Sequence, residues 1–393
     1  MKVWLWLAGL LALTAALVLH KRNLPQSTVQ RERAMEAPRG NAERGAALFA
    51  RYECARCHGT SDDAALPERS RDCAGCHRSI HDGTFKPWTD AANGWQARIH
   101  HFLSVPSLTE LKQRVRRDWF VNYLQRPVDL RPHLPETMPR LAIDAEQALD
   151  LAAYFGLEEA PVAALHGNAT RGREAFFSER CRDCHEFSGA ETPSLEGQPW
   201  ELPASRALAP DLAFTRRRWQ PDALERWLTR TDHFSSAAHS DIVAYVFSAP
   251  LAPPSPRPAP RRLPPLQREV SFAEVSTRIF RKTCWHCHSN PEYAIGDGGP
   301  GNTGGFGFAG KGVDLSDHPS VLSGYLDARG ERRSLVAPGP SGVPRLLEVL
   351  LARQGEETSG ASSALRGMPL ALPALAPEDI QLVESWLEQG APE

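Results

Sequence analysis

The feature that most constrains this chain is a five-residue pattern, Cys-x-x-Cys-His, which occurs four times. The first two copies begin only nineteen residues apart, at Cys54 and Cys73. The chain contains eight cysteines and the four copies use them all: Cys54, Cys57, Cys73, Cys76, Cys181, Cys184, Cys284 and Cys287. No cysteine remains for a disulfide outside the pattern or as a spare thiol.

This spacing is that of the covalent attachment site of a c-type haem, in which two thiols bind the porphyrin and the adjacent histidine binds the iron. The sequence therefore predicts four covalently bound haem c groups, with iron ligands at His58, His77, His185 and His288. A zinc half-site or a redox-active thiol pair is the alternative for any single copy. Zinc would need a second ligand pair of matching type, and every pair here ends in histidine, so the pattern favours haem.

The N-terminus contains an uncharged run over residues 3–19. Its length is at the short end of a membrane span, so residues 1–23 are interpreted as a signal anchor or, with small residues at 14–16, as a cleaved signal peptide. Lys21 and Arg22 would place the body in the cytoplasm by the positive-inside tendency. Covalent haem insertion is associated with the outer side of the bacterial inner membrane. We therefore expect the body on the periplasmic side, membrane-anchored, or soluble in the periplasm after cleavage.

The charge balance of the chain is nearly neutral, with 45 Lys and Arg against 47 Asp and Glu. A nucleic-acid-binding surface would need a basic excess, so nucleic acid is not an expected partner. The expected partners are redox proteins and, through the N-terminal segment, the membrane.

Polar and proline-rich stretches divide the chain into units. Residues 24–40 are interpreted as a polar tether, and residues 251–267 as a proline-rich linker that forms an extended spacer. Between these breaks one plan repeats, in which an amphipathic helix leads directly into an attachment motif and a second helix closes the unit. The predicted domains are 41–160, which holds two motifs, 167–250 and 268–393.

Each unit resembles the class I cytochrome c domain, in which two helices cross and a loop supplies the second iron ligand, usually a methionine followed by proline. The resemblance implies an all-α protein of three tandem cytochrome c-like helical domains with long loops, after an N-terminal membrane anchor. It implies that Met138 in "ETMPRL" and Met368 in "RGMPLAL" bind iron, since each Met-Pro pair lies shortly before a closing helix. It also implies that the carbonyls of Pro106 and Pro210 accept hydrogen bonds from the proximal histidines, whereas the third unit has no equally clear counterpart.

The second unit departs from this pattern because it has no methionine between its motif and its closing helix. His233 lies twelve residues before Tyr245, where a shortened loop could still reach the iron, and it is the predicted ligand. His239 is the less favoured alternative, because it is expected to lie on the closing helix. An open iron position is the third possibility.

The second attachment motif lies in an insertion of the first domain, residues 59–104, and no methionine is left to serve it. His81 is only four residues beyond His77 and cannot easily cross to the opposite face of the haem. His100 or His101 is therefore the predicted second ligand of this site.

Two motifs this close together predict two haems that lie nearly edge to edge, which is an arrangement for moving electrons. A methionine opposite histidine raises the haem potential relative to two histidines, so the first and fourth sites are expected to have the higher potentials. The predicted function is a tetrahaem c-type cytochrome that relays electrons between membrane and periplasmic redox partners, a carrier more than a catalyst. Two alternatives are a haem enzyme of the peroxidase or oxyanion reductase type, using an open iron position, and the cytochrome subunit of a larger dehydrogenase.

The glycine-rich stretch 296–312 is interpreted as a flexible loop over the fourth haem edge, with a substrate channel as the alternative.

Overall fold

The computed structural model describes residues 39–58, 72–86, 88, 90–96, 105–132, 138–190, 206, 208–230, 238–253, 258–290, 299–359 and 365–393. The described residues from Gly40 onward belong to one compact unit. Within these ranges no helix has both the length and the apolar character needed to cross a membrane. The anchor or signal peptide predicted at 1–23 lies outside the described residues, as does nearly all of the tether at 24–40.

The described chain is mainly helical, which confirms the all-α class. Its α-helices are α1 (Ala42–Arg51), α2 (Cys73–His81), α3 (Asp90–Gln96), α4 (Leu111–Arg114), α5 (Arg117–Gln125), α6 (Ala145–Tyr154), α7 (Ala169–Ser178), α8 (Thr215–Arg218), α9 (Pro221–Arg230), α10 (His239–Ser248), α11 (Phe272–Val275), α12 (His318–Ser323), α13 (Arg345–Ser359) and α14 (Pro377–Glu388). Helix α11 continues directly into a wider π-helix, Ser276–Cys284, and 3₁₀ turns cover Cys54–Arg56, Cys181–Asp183 and Leu212–Phe214. The strands of the described ranges form two short antiparallel hairpins, β1 (Gly304–Gly305) with β2 (Phe308–Ala309) and β3 (Tyr325–Leu326) with β4 (Arg332–Arg333).

In the first unit, α1 crosses the closing helix α6 at a set of polar contacts. The side chain of Asn41 caps α1 by accepting the Arg44 N–H at 2.8 Å, and the Asn41 N–H donates to Oδ1 of Asp150 at 2.6 Å. The Nε of Arg44 donates to Oδ2 of Asp150 at 2.7 Å. Gly45 lies at the crossing, where a β-carbon would come within 2.1 Å of the Asp150 carbonyl oxygen. The close approach of the two helices therefore requires glycine at this position.

The second unit repeats this crossing between α7 and α10. The Asn168 N–H donates to Oδ1 of Asp241 at 2.6 Å, and the Arg171 Nε donates to Oδ2 at 2.7 Å. Gly172 lies so close that a β-carbon would be 1.8 Å from the Asp241 carbonyl oxygen. The hexapeptide GNATRG, which matches GNAERG in the first unit, is the sequence signal of this shared geometry.

Three buried hydrophobic clusters follow one another along the described chain, and each one packs around a closing helix. The largest buried side chains of these clusters are Tyr52 and Leu151 in the first, Phe176 in the second, and Ile279, Phe280, Leu382 and Trp386 in the third. Of the aromatic residues late in the closing helices, Trp386 and Tyr245 are buried as expected for core packing. Tyr154 is 39% exposed, and its neighbour Phe155 packs against the first cluster instead.

Backbone hydrogen bonds join the first two units. The Arg116 N–H donates to the Arg218 carbonyl at 2.8 Å, and the Asp211 N–H donates to the Leu130 carbonyl at 2.8 Å. The described second half of the predicted linker, residues 258–267, packs along α14 of the third unit. There the Leu266 N–H donates to the Ser385 hydroxyl at 2.8 Å, and Arg262 forms an ion pair with Glu384.

Candidate haem-binding sites

Three of the four attachment motifs share one backbone turn. In each, the backbone N–H of the histidine donates to the carbonyl of the first cysteine at 2.9 Å, which holds for His58 with Cys54, His185 with Cys181 and His288 with Cys284. Glu53 and Arg180, which precede the first two of these turns, have left-handed backbones with φ of 52° and 60°. Such residues end a helix, so the chain leaves the leading helix and enters the motif at once. The same backbone turn therefore contains all five residues of each of these motifs.

The motif histidines of the first two units have the carbonyl neighbours that the resemblance implies. Nδ1 of His58 lies 2.8 Å from the carbonyl oxygen of Pro106, and Nδ1 of His185 lies 2.8 Å from that of Pro210. Both predicted bonds are thus confirmed. Because a carbonyl only accepts, Nδ1 carries the proton and Nε2 keeps the lone pair that binds a metal. Burial lowers the pKa of both imidazoles, which favours the neutral form that metal binding requires.

The fourth motif meets a glycine at its histidine. Gly301 lies against the imidazole of His288, so closely that a β-carbon there would be 1.7 Å from Nδ1. Two backbone bonds hold this contact, from the Val313 N–H to the Gly301 carbonyl at 2.6 Å and from the Leu315 N–H to the His288 carbonyl at 2.8 Å. The sequence offers no equally clear proline counterpart for this unit, and the residue that lies against the imidazole is Gly301 of the stretch 296–312, directly after Pro300.

The second motif lies on a regular helix. Asp72 caps α2 by accepting the Gly75 N–H at 2.8 Å, and the motif forms the first turn and a half of the helix. Cys73, Cys76 and His77 therefore share one helical face, since residues three and four apart are neighbours on a helix surface. His77 is buried on this face. Its imidazole lies 6.0 Å from that of His286, which occupies a variable position of the fourth motif.

Some of the remaining predicted ligands lie within the residues that the structure describes, and the others lie outside them. Met138 is partly buried and packs against the first hydrophobic cluster, and the Met368 N–H donates to the Val349 carbonyl at 2.9 Å. His239 begins α10 and is buried, with Nδ1 3.3 Å from the Thr229 hydroxyl and Nε2 without a hydrogen-bond partner among the described residues. It therefore stays the alternative ligand in the second unit. The other three predicted ligands lie outside the described residues: His100, His101 and His233.

The loops that contain the two candidate methionines contact each other. The Arg140 N–H donates to the Leu370 carbonyl at 3.3 Å, and the guanidinium of Arg366 donates to the Arg140 carbonyl. The Arg140 guanidinium lies 3.6 Å from the carboxylate of the buried Glu356. The Met-Pro loops of the first and third units therefore form one contact region, although they are more than two hundred residues apart in the chain.

The glycine-rich stretch forms the β1–β2 hairpin and packs on the first attachment turn. The Phe306 N–H donates to Oε2 of Glu53 at 3.0 Å, and the same carboxylate pairs with the Arg56 guanidinium at 3.0 Å. Arg56 also lies over the Phe306 ring at 5.3 Å. Gly307 has a φ of 79° and lies against the Tyr52 ring. The sequence predicted a loop over the fourth haem edge. The described part of this stretch does lie against the fourth motif, through Gly301 and His288, and its hairpin is also fixed to the first unit.

A cluster of arginines surrounds Tyr123 between the first two units. Burial raises the pKa of Tyr123 to about 12, so the phenol is uncharged at neutral pH. Burial, together with the positive charges of Arg114 and Arg131, lowers the pKa of Arg218 to about 10, which still leaves it charged. Several half-buried guanidinium groups at one place favour an anionic ligand. The two carboxylates that a haem carries have the charge and the planar shape that this cluster would bind.

Burial raises the pKa of the first cysteine in three of the four motifs. None of the eight forms a disulfide, and all are half-buried. Burial raises the pKa of Cys54 and Cys284 to about 12 and that of Cys181 to about 11. Zinc ligands and redox-active thiol pairs work through thiolates, which need a lowered pKa. In the part of the chain that the structure describes, no group of three or more His, Cys, Asp or Glu side chains is placed to hold a metal ion.

No family model, curated protein or solved structure matches this chain. The assignment of its sites therefore depends on the attachment motifs and on their geometry.

Proposed function

We propose that this protein is a tetrahaem c-type cytochrome that relays electrons on the periplasmic side of the inner membrane. The observation that carries the proposal is the repeated site: three Cys-x-x-Cys-His turns with the same backbone bond, two of them with the histidine Nδ1 fixed 2.8 Å from a proline carbonyl. A bound haem would supply a one-electron redox centre at each motif.

The residues that would hold the four haems are the eight cysteines, with the proximal ligands His58, His77, His185 and His288. On the opposite side, Met138 and Met368 are the proposed ligands of the first and fourth irons. The position of each Met-Pro pair shortly before a closing helix supports this choice, and thioether and imidazole together are an established ligand pair of cytochrome haem iron. His233 is the proposed ligand in the second unit.

Packing between the units supports a relay function. The third unit contacts the first at the Met-Pro loops and at the hairpin on the first attachment turn. The second unit contacts the first beside Pro210, through the Asp211 N–H and the Leu130 carbonyl. The three units are thus held together at their attachment sites, as a chain of redox centres requires.

The proposed partners are a redox protein of the membrane and one of the periplasm, with the N-terminal segment of the cytochrome as its membrane anchor. Fractionation of cells that produce the full chain tests this location. Haem protein in the membrane fraction, released as a soluble form by protease added from the periplasmic side, is the expected result. Haem-free chain in the cytoplasm would contradict the proposal.

A spectroelectrochemical titration combined with carbon monoxide exposure tests the function. Two haems of higher and two of lower potential are expected, because two sites carry methionine and two carry histidine. Little rapid carbon monoxide binding is expected when every iron has two protein ligands. Rapid binding by one full haem equivalent, together with turnover of peroxide or nitrite, would contradict a carrier and indicate an enzyme.

A further inference from the structure

Two histidine rings from different attachment motifs face each other between the first and third units. The ring centroids of His77 and His286 are 6.0 Å apart, and the ring planes are inclined by 37°. His77 is the proximal histidine of the second motif. His286 lies between Cys284 and Cys287, in a motif whose own proximal histidine is His288, so that motif does not need His286 as a ligand.

The separation of the rings is that of two imidazoles that bind one metal ion. Metal–imidazole bonds are about 2.0–2.1 Å long and each ring centroid lies about 1.2 Å beyond its nitrogen, which places the two centroids about 6.4 Å apart. Tilted rings that simply pack together have a similar separation, as Phe176 and Phe187 do at 6.2 Å, so the distance permits ligation and the identity of the two residues carries the argument. The 37° inclination fits ligation as well, because two imidazoles on one metal axis are free to rotate about that axis.

The backbone before the fourth motif differs from that before the first and third. Those two follow an α-helix and one left-handed residue, whereas the fourth follows the π-helix Ser276–Cys284. π-Helical turns are frequent at functional sites, where they change the direction in which the following residues leave the helix. Here the residues that follow include His286, beside the ring of His77 on α2.

We propose that His286 is the second iron ligand of the haem attached through Cys73 and Cys76, opposite His77. This proposal depends on the four-haem function given above. It replaces His100 and His101 as the ligand of that site. It also explains why the second motif is inserted in the first domain: there it meets the fourth motif. The second iron is then linked through His286 and the adjacent Cys287 to the haem of the fourth site.

The test is His286→Ala in the full haem-loaded chain, with His166→Ala as the control, since His166 is an exposed residue between the first two units. The variant is expected to retain four haems by mass and to show a new high-spin ferric signal from one haem in four. That haem should bind carbon monoxide, and added imidazole should restore the low-spin signal. The control is expected to match the unmodified protein. In a chain with Cys73→Ser and Cys76→Ser, which lacks the second haem, His286→Ala is expected to produce no new high-spin signal.

Three results overturn the proposal. If His286→Ala keeps all four haems low-spin, or if His100→Ala or His101→Ala alone produces the high-spin signal, His286 is not the ligand and the four-haem function still stands. If the unmodified chain carries no haem at Cys73 and Cys76, the proposal and the function on which it depends both fail. The mass measurement separates these cases before any spectrum is recorded.

Discussion

Alanine at Gly172 is expected to weaken the crossing of α7 and α10. A β-carbon there would be 1.8 Å from the carbonyl oxygen of Asp241 and 2.4 Å from its carbonyl carbon. Ordinary contact begins at 3.4 Å, so the helices would have to separate by about 1.6 Å. The obstacle is helix backbone and cannot rotate away as a long side chain could. The Arg171–Asp241 bonds and the burial of Phe176 depend on the same close approach.

Two opposing terms set the size of the effect. Alanine is better than glycine in a helix by about 0.5–1 kcal/mol, whereas overpacking costs about 1–3 kcal/mol or more. With backbone as the obstacle, we expect a net loss of about 2 kcal/mol for Gly172→Ala and a loss of similar size for Gly45→Ala. Gly355→Ala is the matched control, since Gly355 is helical and, outside its own helix backbone, no atom of the described residues lies within 4 Å of the place that its β-carbon would take. That substitution should gain about 0.4–1 kcal/mol.

The assay is guanidinium denaturation of the haem-loaded protein, followed by far-ultraviolet circular dichroism. The expected order of unfolding free energy is Gly355→Ala above the unmodified protein, and both Gly45→Ala and Gly172→Ala below it. A Gly172→Ala variant as stable as the unmodified protein would refute the argument that the close helix approach requires glycine.

Three further predictions concern the ligands, the hairpin and the helix crossing. Met138→His and Met368→His should each lower the potential of one haem, because two histidines hold a lower potential than histidine with methionine; an unchanged redox titration would show that the methionine only packs. Glu53→Ala removes the acceptor of the Phe306 N–H, and hydrogen exchange at that amide should become about tenfold faster, for a lost bond of about 1–1.5 kcal/mol; equal exchange rates would show that the hairpin is held by other contacts. The hydrogen bond from Arg44 lowers the pKa of the Asp150 carboxyl below its ordinary value of 3.8. The ionised carboxyl therefore contributes its full share of stability above pH 3.8, and this share is lost as the pH falls through the pKa of the folded state. When the pH is lowered below about 4, the unfolding free energy of Asp150→Asn, measured by denaturation, should therefore fall less than that of the unmodified protein. The same dependence on pH in both proteins would contradict this prediction.

Local patterns in the sequence predicted the local parts of these sites. The bonds from His58 to Pro106 and from His185 to Pro210 follow from motif and loop spacing within one unit. The all-α class follows from helical periodicity, which needs no knowledge of distant residues. Aromatic position alone was less reliable, since Tyr154 is partly exposed while Phe155 packs in the core.

Contacts between the units could not be predicted in this way. Phe306 binds Glu53 across 253 residues of chain, and no periodic pattern encodes such a contact. The proline-rich linker also suggested separation, because proline predicts extended backbone but not where that backbone packs. Its described half lies on α14, and the third unit contacts the first. The pairing of His77 with His286 depends on this arrangement and is visible only in three dimensions.

Four covalently bound haems are the basis of the proposed function. They are tested directly by measuring the intact mass of the denatured full chain after acid–acetone extraction. The expected mass is that of the polypeptide, with or without residues removed at its N-terminus, plus four haems. A Cys73→Ser, Cys76→Ser variant should carry three. A chain that loses its haem on extraction, or that carries none when produced with a haem-attachment system, would contradict covalent attachment and with it the proposed function.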